Sequence, residues 1–324
     1  MNKTYNKIAP MKPVTEEVLN KVSIADMAIP ADIPHGDMPG DKIEIGESHI
    51  AKAKTVFPIL IKYLSEVTSK NPYGRAVVTV CGGSGVGKSE IASLLSYMLE
   101  QAGIGSYTMS GDNYPHRIPM YNDAERLHTF RQSAIRGMVD AGDMNADHLK
   151  AVQAWQEAGD DANPEHVKEN AWFGSYLEAG KEALAEYLGT PNETDFAEVD
   201  SILHAFKDGA DKLWLKRMGR DETQLWYDEV DMTNKQVLII EWTHGNTDCM
   251  TEVDIPVLLN STPQETLEHR RSRARDGKVD SPFTMMVLEL EQNKLMQQAH
   301  KAKIIVSKQG EIISYDDYKK LMGL

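Results

Sequence analysis

Eight residues, Gly82-Gly83-Ser84-Gly85-Val86-Gly87-Lys88-Ser89, fit the pattern G-x-x-x-x-G-K-[ST] in full. What precedes and follows them narrows the fold further. Ala76-Val77-Val78-Thr79-Val80-Cys81 is a short, almost continuous β-branched run, the pattern of a parallel strand covered on both faces. After the glycines, Ile91, Leu94, Leu95, Met98 and Ala102 recur on one helical face, and Gly103 stands where a C-terminal cap belongs. Strand, loop and helix in that order form a phosphate cradle. Glycines let the backbone curl so that its N–H groups point at phosphate oxygens, and the helix N-terminus adds a favourable dipole. The whole of Gly82, Gly83, Ser84, Gly85, Val86, Gly87, Lys88 and Ser89 is therefore expected to bind a nucleoside triphosphate. Lys88 is expected at the β- and γ-phosphates and the Ser89 hydroxyl on Mg2+. ATP is the default donor; GTP is left open.

The rest of the chain supplies further strands of the same kind. Ser106–Ser110 delivers Gly111-Asp112-Asn113-Tyr114 to a carboxyl end, where ligands of open α/β sheets bind. Strand patterns return at Val237–Glu241, Ile255–Leu259 and Lys303–Val306. With helices between them, these imply a doubly wound parallel sheet. Apolar residues Val56, Ile59, Leu60, Tyr63 and Leu64 predict a helix over 48–70, broken by Asn71-Pro72-Tyr73-Gly74. Residues 1–45 hold several Pro, Gly and Asp and no sustained period, which reads as an extended arm packed on a domain. Over 141–190 there are 10 Asp and Glu against 3 Lys, half of the chain's net charge of −14, with Trp155, Trp172 and Tyr176 in helical patterns. That block reads as an acidic helical insertion with a solvated face. The expected organisation is thus an N-terminal arm and helix (1–70), a first part of the core (71–140), the insertion (141–190) and a second part of the core (191–324).

Composition excludes several classes. A net charge of −14 argues against a nucleic-acid binder, because phosphate backbones reward clustered Lys and Arg. No apolar run approaches the ~20 residues that span a bilayer, and the N-terminal residues lack the apolar core of a signal peptide. A cytoplasmic protein is expected, with a small molecule rather than a membrane as its partner and an oligomeric state that the sequence leaves open. Cys81 and Cys249 are too few for a disulfide scaffold, and Cys81 reads as a small core residue.

Two carboxylates complete the candidate site. Asp112 follows the second strand, within reach of an acceptor hydroxyl near the phosphate loop, and is the candidate general base; an Asx turn is its structural alternative. Glu241 ends an apolar strand and is the candidate magnesium-linked carboxylate. Four arginines, Arg270, Arg271, Arg273 and Arg275, form a candidate lid over the transferring phosphate.

These residues carry a resemblance. Gly111-Asp112-Asn113-Tyr114-Pro115-His116-Arg117 resembles the Gly-Asp-Ser-Phe-His-Arg segment of phosphoribulokinases and the Asp-Asp-Phe-Tyr segment of uridine kinases. Glu241-Trp242-Thr243-His244-Gly245 resembles the Glu-Gly-Leu-His-Gly of phosphoribulokinases, and His269–Asp276 is similar to their arginine-rich lid. The resemblance covers roughly residues 75–120 and 195–310. It implies an α/β P-loop NTPase fold of the nucleoside-kinase-like type with a helical insertion, and ATP- and Mg-dependent phosphorylation of a hydroxyl on a small molecule such as a sugar phosphate or nucleoside. It implies catalytic roles for Asp112, Lys88 and Arg275, magnesium at Ser89 and Glu241, and acceptor contacts from His116, Arg117 and Arg271. The sequence departs from that pattern at the inserted Pro115, at Trp242 in place of glycine, and in the acidic block. An adenylylsulfate kinase is an alternative, since Gly111-Asp112-Asn113 with Arg117 resembles that family's Asp-Gly-Asp-Asn-x-Arg, but three residues here separate Asn from Arg. A regulatory P-loop NTPase is an alternative of another class. Asn234-Lys235-Gln236-Val237 lacks the base-reading Asp of guanine switches.

Overall fold

The computed structural model describes residues 5–21, 23–24, 27–30, 32–262, 264–267 and 281–324. The first unit comprises Met1–Tyr114, Asp195–Thr262 and Leu295–Leu324. Its helices are α1 (Val18–Lys21), α2 (Glu47–Lys70), α3 (Lys88–Gln101), α7 (Phe196–Lys207) and α9 (Tyr315–Met322). Its strands are β1 (Ala76–Gly82), β2 (Ser106–Ser110), β3 (Lys212–Met218), β4 (Leu225–Asp231), β5 (Val237–Glu241), β6 (Ile255–Leu259), β7 (Ile304–Val306) and β8 (Ile312–Ile313). Six strands make one sheet in the order β2-β5-β1-β6-β7-β8, parallel from β2 to β7, with β8 antiparallel on the edge. The expected parallel sheet is there. Its single antiparallel edge strand, too short to leave a periodic signal, is an addition.

The strands read as continuous apolar runs because both faces of the sheet are buried, and the two faces feed two cores. Val78, Val80, Ile239, Ile255 and Val257 pack with Phe57, Leu60 and Leu64 of α2 and Leu94, Leu95 and Met98 of α3. The alternate residues Val77, Leu238 and Ile240, with Met109, pack with Val199, Leu203 and Phe206 of α7. Each fully buried aliphatic side chain contributes roughly 1.5–3 kcal/mol of transfer free energy, so this double burial outweighs any local preference of the strands. Cys81 is buried in a third cluster with Leu258 and Ile305, and burial pushes its thiol pKa up to about 12, as befits a small core residue. The antiparallel ribbon of β3 and β4, with Lys212 opposite Asp231 and Met218 opposite Leu225, is a separate two-stranded sheet that periodicity did not disclose.

The second unit comprises Pro115–Thr194 and Pro263–Lys294. It holds α4 (Pro119–Asp140), α5 (Ala146–Ala158), α6 (Phe173–Tyr187) and most of α8 (Pro282–Gln298). The helical character expected over 141–190 thus extends back to Pro119, within a unit that begins at Pro115. The physical reason is packing: Phe130, Ala134 and Met138 of α4 share one core with Phe173, Tyr176 and Leu184 of α6 and with Met286, Val287 and Leu290 of α8. Trp155 and Trp172 join His148 and His166 in a stack, with His148 on Trp172 at 3.9 Å and Trp155 on His166 at 4.0 Å between ring centroids. No described helix is long and apolar enough to cross a membrane.

Candidate active site

β1 is the middle strand of β5-β1-β6, so whatever leaves its carboxyl end emerges at the centre of the sheet edge. The phosphate loop leaves there and runs directly into α3, which begins at Lys88 with Gly87 as its N-cap. Gly87 has φ 95°, a left-handed backbone that favours glycine, and an added Cβ would stand 2.9 Å from Nε2 of His49. His49 lies at the start of α2, where its Nδ1 accepts from the Gly46 amide at 3.2 Å. It is a neighbour of the loop that sequence reading did not single out. Lys88 Nζ donates to the Gly83 carbonyl at 3.1 Å, which folds the lysine back over its own loop.

The second carboxylate strand joins at once. In the parallel register Val80 lies opposite Glu241, and Glu241 in turn lies opposite Ser110 of β2. The Glu241 carboxylate accepts from the Ser89 hydroxyl at 3.1 Å and from the Ser110 hydroxyl at 2.5 Å. Lys88, Ser89, Asp112 and Glu241 therefore come together in one unit, with Asp112 exposed on the short turn Gly111–Asn113 and Glu241 only 4% exposed. Burial, then the charge of Asp112, pushes the Glu241 pKa up to about 8, against the opposing pull of Ser110, Lys88 and Ser89. A buried carboxylate whose ionisation is made costlier by a second carboxylate, beside two hydroxyls, is a donor set suited to a hard divalent cation. Among the described residues no group of three or more His, Cys, Asp or Glu could hold a metal by itself. Magnesium is ordinarily held by one or two carboxylates together with waters and substrate phosphates, and the Ser89 hydroxyl with the Glu241 carboxylate fits such a holder.

The turn that carries Asp112 is built from afar. Gly111 abuts the buried Trp242: a Cβ at Gly111 would stand 2.0 Å from the indole Cγ. Trp242, where the sequence departs from the kinase pattern, therefore explains the glycine beside Asp112. Trp242 meets Phe196 at 5.1 Å and His244 at 5.5 Å between centroids. On the other side stands Asp37, from the N-terminal arm. Its carboxylate accepts from the Ser110 amide at 2.7 Å, the Asn113 side chain at 3.0 Å and the Tyr107 hydroxyl at 3.0 Å, and pairs with Arg217 of β3 at 2.8 Å. Burial raises the pKa of Asp37 while Arg217 and the Ser110 amide pull it back. Asn113 passes the connection on, accepting from the Met218 amide at 2.9 Å. No sequence signal marks Asp37; the arm lacks periodicity, and only the fold brings it here.

Four further sequence candidates remain. His116 and Arg117 belong to the second unit, where Nε2 of His116 is 2.9 Å from the Pro191 carbonyl and Arg117 donates to the Tyr187 hydroxyl at 3.1 Å and faces Glu125 at 3.6 Å. Arg271 and Arg275, with Arg270 and Arg273, lie outside the described residues.

Comparisons with known proteins find kinases. A bifunctional alpha-galactosidase/sucrose kinase of Mediterraneibacter gnavus is 36% identical over 242 residues, a stretch covering 75% of this chain and 21% of that protein. An adenylyl-sulfate kinase of Erwinia tasmaniensis is 39% identical over 72 residues, covering 21% of this chain and 36% of that protein. The chain thus spans well under half the length of either relative. A solved D-glycerate 3-kinase of Cryptococcus neoformans has a TM-score of 0.42 at 14% identity, covering 83% of this chain and 99% of that one. No family model matches the sequence.

Proposed function

We propose that this chain, a P-loop protein of the small-molecule kinase type, transfers the γ-phosphoryl group of ATP to a hydroxyl of a neutral, sugar-like small molecule. The observation that carries the reading is the meeting of Lys88, Ser89, Glu241 and Asp112 at one sheet edge, joined by the Ser89 to Glu241 hydrogen bond. Little covalent chemistry is asked of the protein in phosphoryl transfer, so positioning and charge neutralisation are nearly the whole task. The loop amides and Lys88 hold the phosphates and neutralise charge that spreads over the γ-phosphoryl oxygens. Ser89 and Glu241 would hold magnesium, which when bound screens the β- and γ-phosphate oxygens from each other. Asp112 accepts the proton of the acceptor hydroxyl as its oxygen bonds to the γ-phosphorus and the bond to the β,γ-bridging oxygen breaks, leaving ADP.

Two observations favour a neutral acceptor over a sugar phosphate. His116 and Arg117, implied by resemblance as acceptor contacts, are engaged within the second unit by Pro191, Tyr187 and Glu125. The longer of the two similar stretches belongs to a protein named for sucrose phosphorylation. The test is ADP release from Mg-ATP over a panel of neutral mono- and disaccharides, uridine, ribulose 5-phosphate and adenylylsulfate. Turnover with a neutral sugar that does not respond to salt supports the reading, because a charged acceptor is screened by salt. Preference for adenylylsulfate would select the kinase class of the shorter similarity, and ADP release indifferent to every acceptor would select a regulatory NTPase.

A further inference from the structure

The N-terminal arm reads from sequence as packing, yet it supplies a buried carboxylate with four partners beside the base. Its side chain is 8% exposed. β2 is the edge strand of the sheet, so its outward amide at Ser110 has no neighbouring strand to receive it. Asp37 Oδ1 takes that amide and also the Asn113 side chain, the residues that flank Gly111 and Asp112 on either side. Its other oxygen is fixed by Arg217, which is itself held by Tyr107 at 2.9 Å and Asp228 at 3.0 Å. The two functions are thus divided between the two oxygens: one clamps the turn and the other anchors the clamp.

We infer that Asp37 is the positioning residue for the Asp112 base, carried into the site by the N-terminal arm. This rests on the reading of Asp112 as general base. A turn of three residues has few backbone bonds of its own, so the place of its tip, which carries Asp112, depends on what grips the two ends. A misplacement of about 1 Å at a reacting group is enough for a ~100-fold loss of rate. Arg217 fixes the height of the clamp, since a bidentate or multiply bonded guanidinium tolerates little movement.

The experiment uses the full chain with Asp37→Asn, Asp37→Ala, Tyr107→Phe, Asp112→Asn and the double variant Asp37→Asn with Asp112→Asn. Turnover of Mg-ATP with the best acceptor is measured per molecule able to bind a fluorescent ATP analogue, which removes any misfolded fraction. Asp37→Asn is expected to lower kcat by roughly 10- to 100-fold and Asp37→Ala by more, with nucleotide affinity within about threefold of wild type. Tyr107→Phe leaves both bonds to the turn and is expected to stay within about threefold. The double variant is expected to turn over no more slowly than Asp112→Asn alone, because a residue that acts only through the base has no effect once the base is gone. Unchanged kcat per competent molecule in both Asp37 variants, or losses that multiply in the double variant, would overturn the inference. Full turnover by Asp112→Asn would instead sink the reading of the base. Amide exchange over residues 110–113 decides independently of any acceptor: it accelerates in Asp37→Asn if the clamp holds the turn, and unchanged exchange refutes it.

Discussion

Two loops meet at the carboxyl edge of the sheet, and they are held in opposite ways. The phosphate loop is specified by its own residues: glycines that accept left-handed backbone, a lysine that donates to a carbonyl five positions earlier, and a helix that begins inside the motif. The turn that carries Asp112 is held from 73 positions away by Asp37, from 105 by Met218 and from beneath by Trp242. A local loop survives distant substitution and is recognisable by pattern. A loop held from afar is neither, and it offers evolution more places from which to adjust the reaction.

Lys88→Ala attacks the local loop and is expected to have the largest effect, a loss of about 1,000-fold or more in turnover, because it removes charge at the transferring phosphoryl group in a site where such groups are worth several kcal/mol. Circular dichroism should be unchanged, and near wild-type turnover in a folded variant would remove the phosphate-loop assignment. Asp112→Asn tests the other loop's cargo. It is expected to cost roughly 100- to 10,000-fold in kcat while nucleotide affinity stays put. A loss confined to the nucleotide KM would make Asp112 a phosphate or metal ligand instead.

Gly111→Ala sharpens the contrast through packing. The new Cβ would overlap Trp242, which is 2% exposed and caught between Phe196 and His244, so the turn must shift. Overpacking of this kind costs about 1–3 kcal/mol, read as a lower urea midpoint, together with reduced kcat. A variant as stable and active as wild type would show that the turn is not confined by the indole.

A pH-dependent effect joins the two loops at Glu241. Its folded pKa of about 8 lies above the usual carboxylate value, so its contribution to stability is complete below the unfolded pKa and is lost as pH rises through the folded pKa. Metal-free wild type should therefore lose stability between about pH 5 and 8, by roughly 2–4 kcal/mol, and Glu241→Gln should be flatter over that interval. Added magnesium should shrink the loss in wild type. Parallel pH profiles for the two proteins would mean that Glu241 does not face water-excluding surroundings next to Asp112.

How much was legible follows from the same division. That Lys88, Ser89, Glu241 and Asp112 would meet at one edge was legible in the sequence because each ends or follows a strand whose apolar run is unmistakable, and parallel strands deliver their carboxyl ends to one edge. His116 and Arg117 were assigned by resemblance alone, and adjacency in the chain did not foretell that their side chains would be engaged by residues 125, 187 and 191. Trp242 was visible as a departure without a reason; the reason is the missing Cβ at Gly111.

What the sequence determined by itself is everything that depends on neighbours along the chain: the phosphate loop, the helix it opens, the strand runs and the carboxylates at their ends. Short-range geometry of this kind is fixed by local sterics and periodicity, so a pattern suffices. Only the tertiary structure decided that Asp37 and Arg217, 180 positions apart, would close a buried ion pair beside the turn that carries Asp112, that β8 would add an antiparallel edge, and that the helical unit would begin at residue 115. Those depend on which surfaces exclude water together, and burial is a property of the folded whole rather than of any segment.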